Sequence, residues 1–387
     1  MILNRWRGAC LVACCYLGMS TAVAEGFTRT GAIQASQTGV SELWQNPAHI
    51  PSNDSDEPVW IGIGNGGYFN DREQLLDAFD ELQAESRRLE RTSSQRPLLP
   101  SDVEPLIAAL QAVDGRILTG SGGASLALSL PTTVLDLVLF SSASGRMATT
   151  FDYDPEDANT LRSATLIGAF TATDLESRII VTGVITTDIG ITAAKTVPEF
   201  YGARLGVTLK HQVISLFDRS IEIDDYEEGD LRDRHRNIST DRFTNIDLGI
   251  SKQWQRWSAG VAVANLIQED ARSPTGRKYY QQAGVRVDLA YQAERWSVAM
   301  SWDPAPTQQG FGFLEDERRL STQFEWQWSE DLSLNAGFHK VVEGRDNDAV
   351  SVGGAWRISK RWSTQMAYLY AGAREQGGAF QIDYRWQ

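Results

Sequence analysis

The fold is indicated most directly by residues 378–387, which read Gly-Ala-Phe-Gln-Ile-Asp-Tyr-Arg-Trp-Gln. In an extended chain successive side chains point to opposite faces. One face therefore carries Phe380, Ile382, Tyr384 and Trp386, and the other carries polar or charged groups. The same period of two recurs through the second half of the chain, for example over residues 320–328. These segments predict antiparallel strands with one apolar and one polar face, which occur in transmembrane barrels and in soluble sandwiches.

The lengths of the connections favour the barrel over the sandwich. Short turns are predicted at 255–256, 293–295, 329–331 and 359–361, and longer polar loops alternate with them at 270–277, 303–319, 343–347 and 373–377. Short turns at one end and long loops at the other are typical of outer-membrane barrels. Fourteen strands are predicted, an even number, near 58–69, 120–131, 134–153, 177–195, 201–217, 240–254, 257–268, 278–292, 296–304, 318–328, 332–341, 347–358, 362–372 and 378–387.

The tryptophans are distributed as a barrel requires. The sequence has 12 of them, and seven lie beside the predicted short turns or the C-terminus: Trp254, Trp257, Trp296, Trp328, Trp356, Trp362 and Trp386. Aromatic side chains are enriched where a membrane meets water. These seven are predicted to form one interfacial girdle, with aromatic packing in a sandwich core as the alternative.

The N-terminus reads as an export signal. Residues 1–24 contain Arg5 and Arg7, an apolar run and then Ala22-Val23-Ala24, which fits a cleaved secretory signal. A lipoprotein cleavage site at Cys14 is the alternative. Removal of the two arginines with the leader would change the net charge from -14 to -16. All three cysteines, Cys10, Cys14 and Cys15, lie in this leader, so disulfides and cysteine nucleophiles are not expected in the mature chain.

Two helices are predicted between the first two strands, over residues 71–114. Apolar residues recur there at three- and four-residue spacing, and Pro97 and Pro100 divide the segment. Asp71 and Asp102 stand where an acidic residue suits a helix N-terminus. If the first strand rises from the periplasm, the helices and the acidic loop 222–233 fall at the long-loop end.

Composition and motifs argue against several classes of chemistry. The 50 acidic residues outnumber the 36 basic ones, which argues against a surface that binds the phosphates of nucleic acid. Residues 62–67 match a dinucleotide-binding glycine pattern, but no βαβ unit follows, so a glycine-rich strand is preferred. The four histidines have no zinc spacing, the acidic loop has no calcium-loop spacing, and no nucleophile elbow is present. Neither an enzyme nor a cofactor is predicted.

Charged residues of both signs fall on the polar face of the predicted strands. By parity they point into the barrel: Lys210, Asp247, Arg286, Asp288, Glu325, Arg357, Asp383 and Arg385. Such groups either pair across strands and with a plug, or line a path for a solute. The pattern does not choose between these alternatives.

Segments of the sequence resemble two protein families. Residues 31–51, with Asn46, Pro47 and Ala48, resemble the N-terminal plug of FadL-type transporters of long-chain fatty acids. Segments along most of the chain, including 71–83, 182–194, 206–210, 245–249 and 263–267, resemble the TraF-like exported proteins named after conjugal transfer. The residue patterns and these resemblances together divide the chain into a signal peptide at 1–24, a plug or periplasmic segment at 25–57 and a barrel at 58–387 with helices inserted at 71–114.

Together these observations lead to two hypotheses about function. The first is an outer-membrane barrel of a Gram-negative cell that passes or captures a small hydrophobic solute. The second is a structural or interaction component of a conjugal transfer or surface assembly. Expected partners are outer-membrane lipid, the barrel assembly machinery and either a hydrophobic ligand or an envelope protein.

Overall fold

The computed structural model describes residues 46–50, 59–130, 132, 134–167, 175–222, 238–305, 311–314, 318–344 and 346–386. The predicted leader, most of the predicted plug and the acidic loop 222–233 lie almost wholly outside these residues. Within them, no helix is both long enough and apolar enough to cross a membrane.

Sixteen strands, β1 to β16 in chain order, make up most of the molecule. They span Trp60–Asn70, Ile117–Leu130, Asp136–Asp152, Arg178–Val197, Ala203–Glu222, Ile238–Trp254, Trp257–Ala264, Glu269–Arg272, Lys278–Gln281, Gly284–Gln292, Trp296–Ala305, Arg318–Gln327, Leu332–Glu343, Ala349–Arg357, Trp362–Gly372 and Glu375–Arg385. Helices α1, α2 and α3 span Leu75–Gln95, Pro100–Val113 and Glu156–Ile167. Short 3-10 turns occur at Pro47–His49 and Pro198–Phe200.

Fourteen of these strands close into one antiparallel barrel. The order runs from β1 to β7, continues with β10 to β16 and closes where β16 pairs with β1. The predicted closed antiparallel barrel of 14 strands is thereby confirmed. The register places Trp60 opposite Arg385, so the first and last strands meet at the short-turn end. The helices consequently lie at the long-loop end, as predicted.

One predicted strand is wrong. Residues 278–292 do not form a single strand, because the chain breaks between Gln281 and Gly284. The first part, β9, pairs with β8 in a separate two-stranded sheet, and only β10 joins the barrel. Only the second part alternates clearly between apolar and polar residues. The first part, Lys278–Gln281, has four residues and is too short for its pattern to reveal the break.

The helices cover the outer face of the long strands β3, β4 and β5, which we call the tall wall of the barrel. Leu82 and Leu89 of α1 and Leu106 of α2 belong to the same buried cluster as Phe151, Val181 and Phe217 of β3, β4 and β5. Pair partners in the sheet place these strand residues on the outward face. Helix α3, which was not predicted, adds Leu161 to this cluster.

Local hydrogen bonds explain where the helices begin. The Asp71 carboxylate accepts from the Leu75 amide at 2.7 Å, and the Asp102 carboxylate accepts from the Leu99 amide at 2.8 Å. Both acids therefore cap helix starts, as their positions in the sequence predict. The Arg96 guanidinium donates to Asp102 and holds the pKa of that carboxyl below its usual value.

Candidate functional site

A short segment of the N-terminal region is held inside the barrel. Residues 46–50 lie against the inner faces of β4, β5 and β6 at the short-turn end. Asn46 and Ala48 are fully buried, and the Ala48 amide donates to Asn46 Oδ1 at 2.9 Å. Proline at position 47 suits the first residue of such a turn. We call residues 46–50 the plug element.

Three inward-facing glycines on neighbouring strands make room for the plug element. A Cβ atom added at Gly206 would lie 2.2 Å from Pro47 C, and one at Gly249 would lie 2.0 Å from Asn46 Oδ1. A Cβ at Gly260 would lie 2.7 Å from Asn46 Nδ2. At Gly206 the three nearest atoms all belong to the plug backbone, so a larger residue there would force the plug element itself to move. At Gly249 and Gly260 the nearest atoms belong to the side chains of Asn46 and Asp288, which would have to shift. We call the three glycines the glycine cradle.

Charged side chains secure the plug element to the barrel wall. Arg204 Nε donates to the Ala48 carbonyl at 2.9 Å, and its Nη2 donates to the Ile50 carbonyl at 2.8 Å and to Asp136 Oδ2 at 2.5 Å. On the other side, Asn46 Nδ2 lies 3.4 Å from Asp288 Oδ1, and His49 Nε2 lies 3.5 Å from Asp288 Oδ2. The predicted lumen residue Asp288 is thus a partner of the plug element.

A second polar cluster lies above the plug element. Lys210 Nζ contacts Asp247 Oδ2 at 2.9 Å and Asp188 Oδ2 at 3.8 Å, and Gln212 Nε2 donates to Asp188 Oδ1 at 2.9 Å. The Lys210 side chain is only 7% exposed. Buried charges of this kind persist because each sign is paired. The arrangement is the cross-strand pairing that was one of the two alternatives for these residues.

The other predicted lumen residues divide between pairs and a cavity. Arg286 Nε pairs with Asp303 Oδ1 at 2.6 Å, and both Asp383 oxygens accept from Gln381 Nε2. Glu325, Arg357 and Arg385 line a cavity of about 340 Å3 at the short-turn end, formed by residues of β10 to β16 and the turns between them. All eight predicted residues therefore lie on the inward face, but they do not form one site.

A buried apolar cluster, which we call the apolar chamber, lies on the inner face near the long-loop end. Val184, Ile214 and Leu216 of β4 and β5 form its wall, together with Ala148 and Ile117. Tyr279 of β9 and Phe311 of the next loop fold into the barrel and cover this wall, with their rings edge to face at 6.1 Å. Leu314 completes the cover. No sequence signal distinguishes these loop aromatics from surface residues.

The seven predicted girdle tryptophans lie on the outer surface near the short-turn end, and each is 42–61% exposed. Several pack against other outward aromatics, such as Trp257 with Tyr291 at 4.9 Å and Trp362 with Tyr384 at 4.6 Å. The aromatic cluster continues to Trp386. Their contact with a membrane surface stays a prediction.

Comparison with known proteins identifies relatives of this architecture. A family model described as the F plasmid transfer operon TraF protein matches residues 43–303. Among solved structures, the Ralstonia pickettii toluene transporter TbuX superposes with a TM-score of 0.53 at 11% identity, over 90% of this chain and 94% of that one. The monoaromatic hydrocarbon channel CymD gives a TM-score of 0.54 at 10% identity, over 95% and 98% of the two chains.

The Pseudomonas putida toluene transporter TodX gives a TM-score of 0.50 at 12% identity, over 95% of this chain and 97% of that one. At such identities the likeness shows a shared fold. Among curated protein sequences, none matches this one.

Proposed function

Since the chain belongs to the TraF family of the F plasmid transfer operon and has the barrel fold of the hydrocarbon transporters, we propose that it is an outer-membrane barrel that passes or captures a small hydrophobic solute. The apolar chamber is the observation that carries this proposal. The lumen of a barrel that conducts water is polar. Here Val184, Ile214 and Leu216 point inward and are at most 3% exposed.

The chamber is suited to an apolar solute for a physical reason. A space lined only by apolar side chains stays dry and accepts small aromatic molecules, because water there would lose its hydrogen bonds. Tyr279 and Phe311 fill the chamber in this structure, so a solute enters by displacing them. Farther along the lumen, the plug element closes the β4 to β6 side of the short-turn end. Capture needs only the first displacement, whereas passage needs the plug element to move as well.

Truncating the cover residue provides the direct test. Phe311→Ala leaves an apolar cavity where the ring lay, and we expect toluene to bind about tenfold more tightly, since less cover has to be displaced. The reverse change, Ile214→Asn, places an amide in the wall and is expected to abolish binding. Binding is measured by ligand-observed NMR on the purified barrel in detergent.

A matched variant controls for a general effect on the protein. Phe338→Ala removes the same ring from the outer face, where Phe338 is 47% exposed. It should leave toluene binding unchanged. If Phe311→Ala and Phe338→Ala bind toluene equally, the chamber is not the solute site.

The proposal places the protein in the outer membrane, exported through a cleaved signal. The barrel fold and the apolar outward faces of the strands support this location. We expect outer-membrane extracts to contain a folded form that changes migration on a gel after heating. Recovery of all of the protein from the periplasm in soluble form would contradict the location. No chemical step is proposed, so solute recovered from the protein should have unchanged mass.

The family description favours a second candidate function, a structural role in a conjugal transfer assembly. The helical layer over the tall wall would then be the contact surface. Arg87→Glu and Arg91→Glu change the charge of the exposed side of α1 without touching its buried leucines. For this role we expect loss of transfer frequency with toluene binding intact. Full transfer in the double variant would contradict the role.

A further inference from the structure

The cavity at the short-turn end is separate from the apolar chamber. Its basic side chains lie mostly on one side and its acidic side chains on the other. On the side of β14 to β16 the lining charges are all basic: Arg357, Lys360, Arg361 and Arg385. On the side of β10 to β13 four are acidic, namely Glu294, Glu325, Glu330 and Asp331, with Arg295 as the exception. The two sides line one space of about 340 Å3.

Backbone hydrogen bonds place the two sides next to each other. The Arg357 amide donates to the Asp331 carbonyl at 2.8 Å, so the end of β14 lies beside the acidic turn between β12 and β13. The Arg385 amide donates to the Arg361 carbonyl at 2.8 Å, which continues the basic side. The rim of the barrel therefore changes from acidic to basic between Asp331 and Arg357.

The basic groups are available to a ligand. Within the part of the chain that the structure describes, the side chains of Arg357, Lys360 and Arg361 form no ion pair or hydrogen bond that would occupy them. Among the lining residues, Ser333, Ser363 and Gln365 add hydroxyl and amide groups. Gln365 is directly paired with Gln381 in the sheet.

We propose that this cavity is a binding site for small zwitterions, such as amino acids or dipeptides. A carboxylate would contact the guanidinium groups of Arg357 and Arg385, and an ammonium group would contact Glu325 and Asp331. A pure anion or a pure cation would satisfy one side and be repelled by the other, so selectivity follows from the opposed charges. The volume is within the range of about 300–1,000 Å3 for small-molecule pockets.

The difference in electrostatic potential between the two sides of the cavity can be measured with single introduced cysteines, because the only native cysteines are Cys10, Cys14 and Cys15. With these three replaced by serine, Ser363→Cys reports on the basic side and Ser333→Cys on the acidic side. We expect an anionic methanethiosulfonate reagent to react severalfold faster than a cationic one at position 363. At position 333 we expect the reverse order.

Ligand protection tests the zwitterion site itself. Glycylglycine should slow modification at both positions, whereas N-acetylglycine should protect only position 363 and glycinamide only position 333. Arg357→Gln should remove the preference at position 363. Lys340→Gln, which removes one charge from the exposed face of β13, should not.

Either of two results would overturn the proposal. The first is the same charge preference at both cysteines, and the second is lack of protection by glycylglycine at either cysteine. Wild-type toluene binding in the same variants separates this outcome from failure of the hydrophobic-solute proposal, because the apolar chamber lies near the long-loop end, away from both cysteines.

Discussion

Replacing Gly206 with leucine is expected to expel the plug element from the barrel lumen. A Cβ atom at this position would lie 2.2 to 2.4 Å from three backbone atoms of Pro47 and Ala48, which cannot rotate away as a side chain could. Overpacking of this kind costs about 1–3 kcal/mol. Because each 1.4 kcal/mol is tenfold in population, the undocked state should rise by about 5- to 150-fold.

The measurement is the reactivity of a cysteine in the plug element. In the background without native cysteines, His49→Cys should be modified faster by about the same factor when Gly206→Leu is present. Gly67→Leu is the matched control, since a Cβ there meets its nearest atom at an ordinary 3.5 Å. Equal reactivity in the two leucine variants would show that the glycine cradle does not hold the plug element.

Replacing Lys210 with methionine is expected to destabilise the barrel by about 3–5 kcal/mol. Methionine has a similar shape, but it leaves Asp188 and Asp247 facing each other with no cation between them. Removing one member of a buried charged cluster leaves an uncompensated charge, which costs more than the cluster itself contributes. The free energy of unfolding is measured by urea titration of the folded form on unheated gels.

A compensating variant identifies the cause of this loss. Adding Asp188→Asn and Asp247→Asn to Lys210→Met removes the charges together, so most of the stability should return. If the triple variant is as unstable as Lys210→Met alone, the loss comes from packing and not from unpaired charge.

The barrel wall could be predicted from the sequence because each strand has an apolar outer face and a polar inner face. Apolar and polar side chains therefore alternate along it with a period of two residues. That period gave the direction of Lys210, Asp247 and Arg286, and it put the seven tryptophans outside. The break after Gln281 is not predicted because β9 has only four residues, Lys278–Gln281, and its pairing with β8 leaves no periodic pattern in the sequence.

The glycine cradle could not be predicted for a different reason. Gly206 is far in the chain from Gly249 and Gly260, and it lies beside them only because the strand register brings Gly206 opposite Gly249. The plug motif Asn46-Pro47-Ala48 was predicted from resemblance, but its partner Arg204 was not. Nothing near Arg204 in the sequence indicates that two backbone carbonyls of a distant segment will lie beside it.

Unequal strand lengths give the barrel an oblique mouth. Strands β4 and β5 have 20 residues each, whereas β7 has 8. At about 3.3 Å per residue, one wall is longer along its strands by about 40 Å. The helices α1 to α3 stand beside the long strands, and the cover residues Tyr279 and Phe311 come from the connections next to the short ones. If the proposed uptake occurs, we expect the solute to enter over the short strands, where the cover residues have to move, and not past the helices.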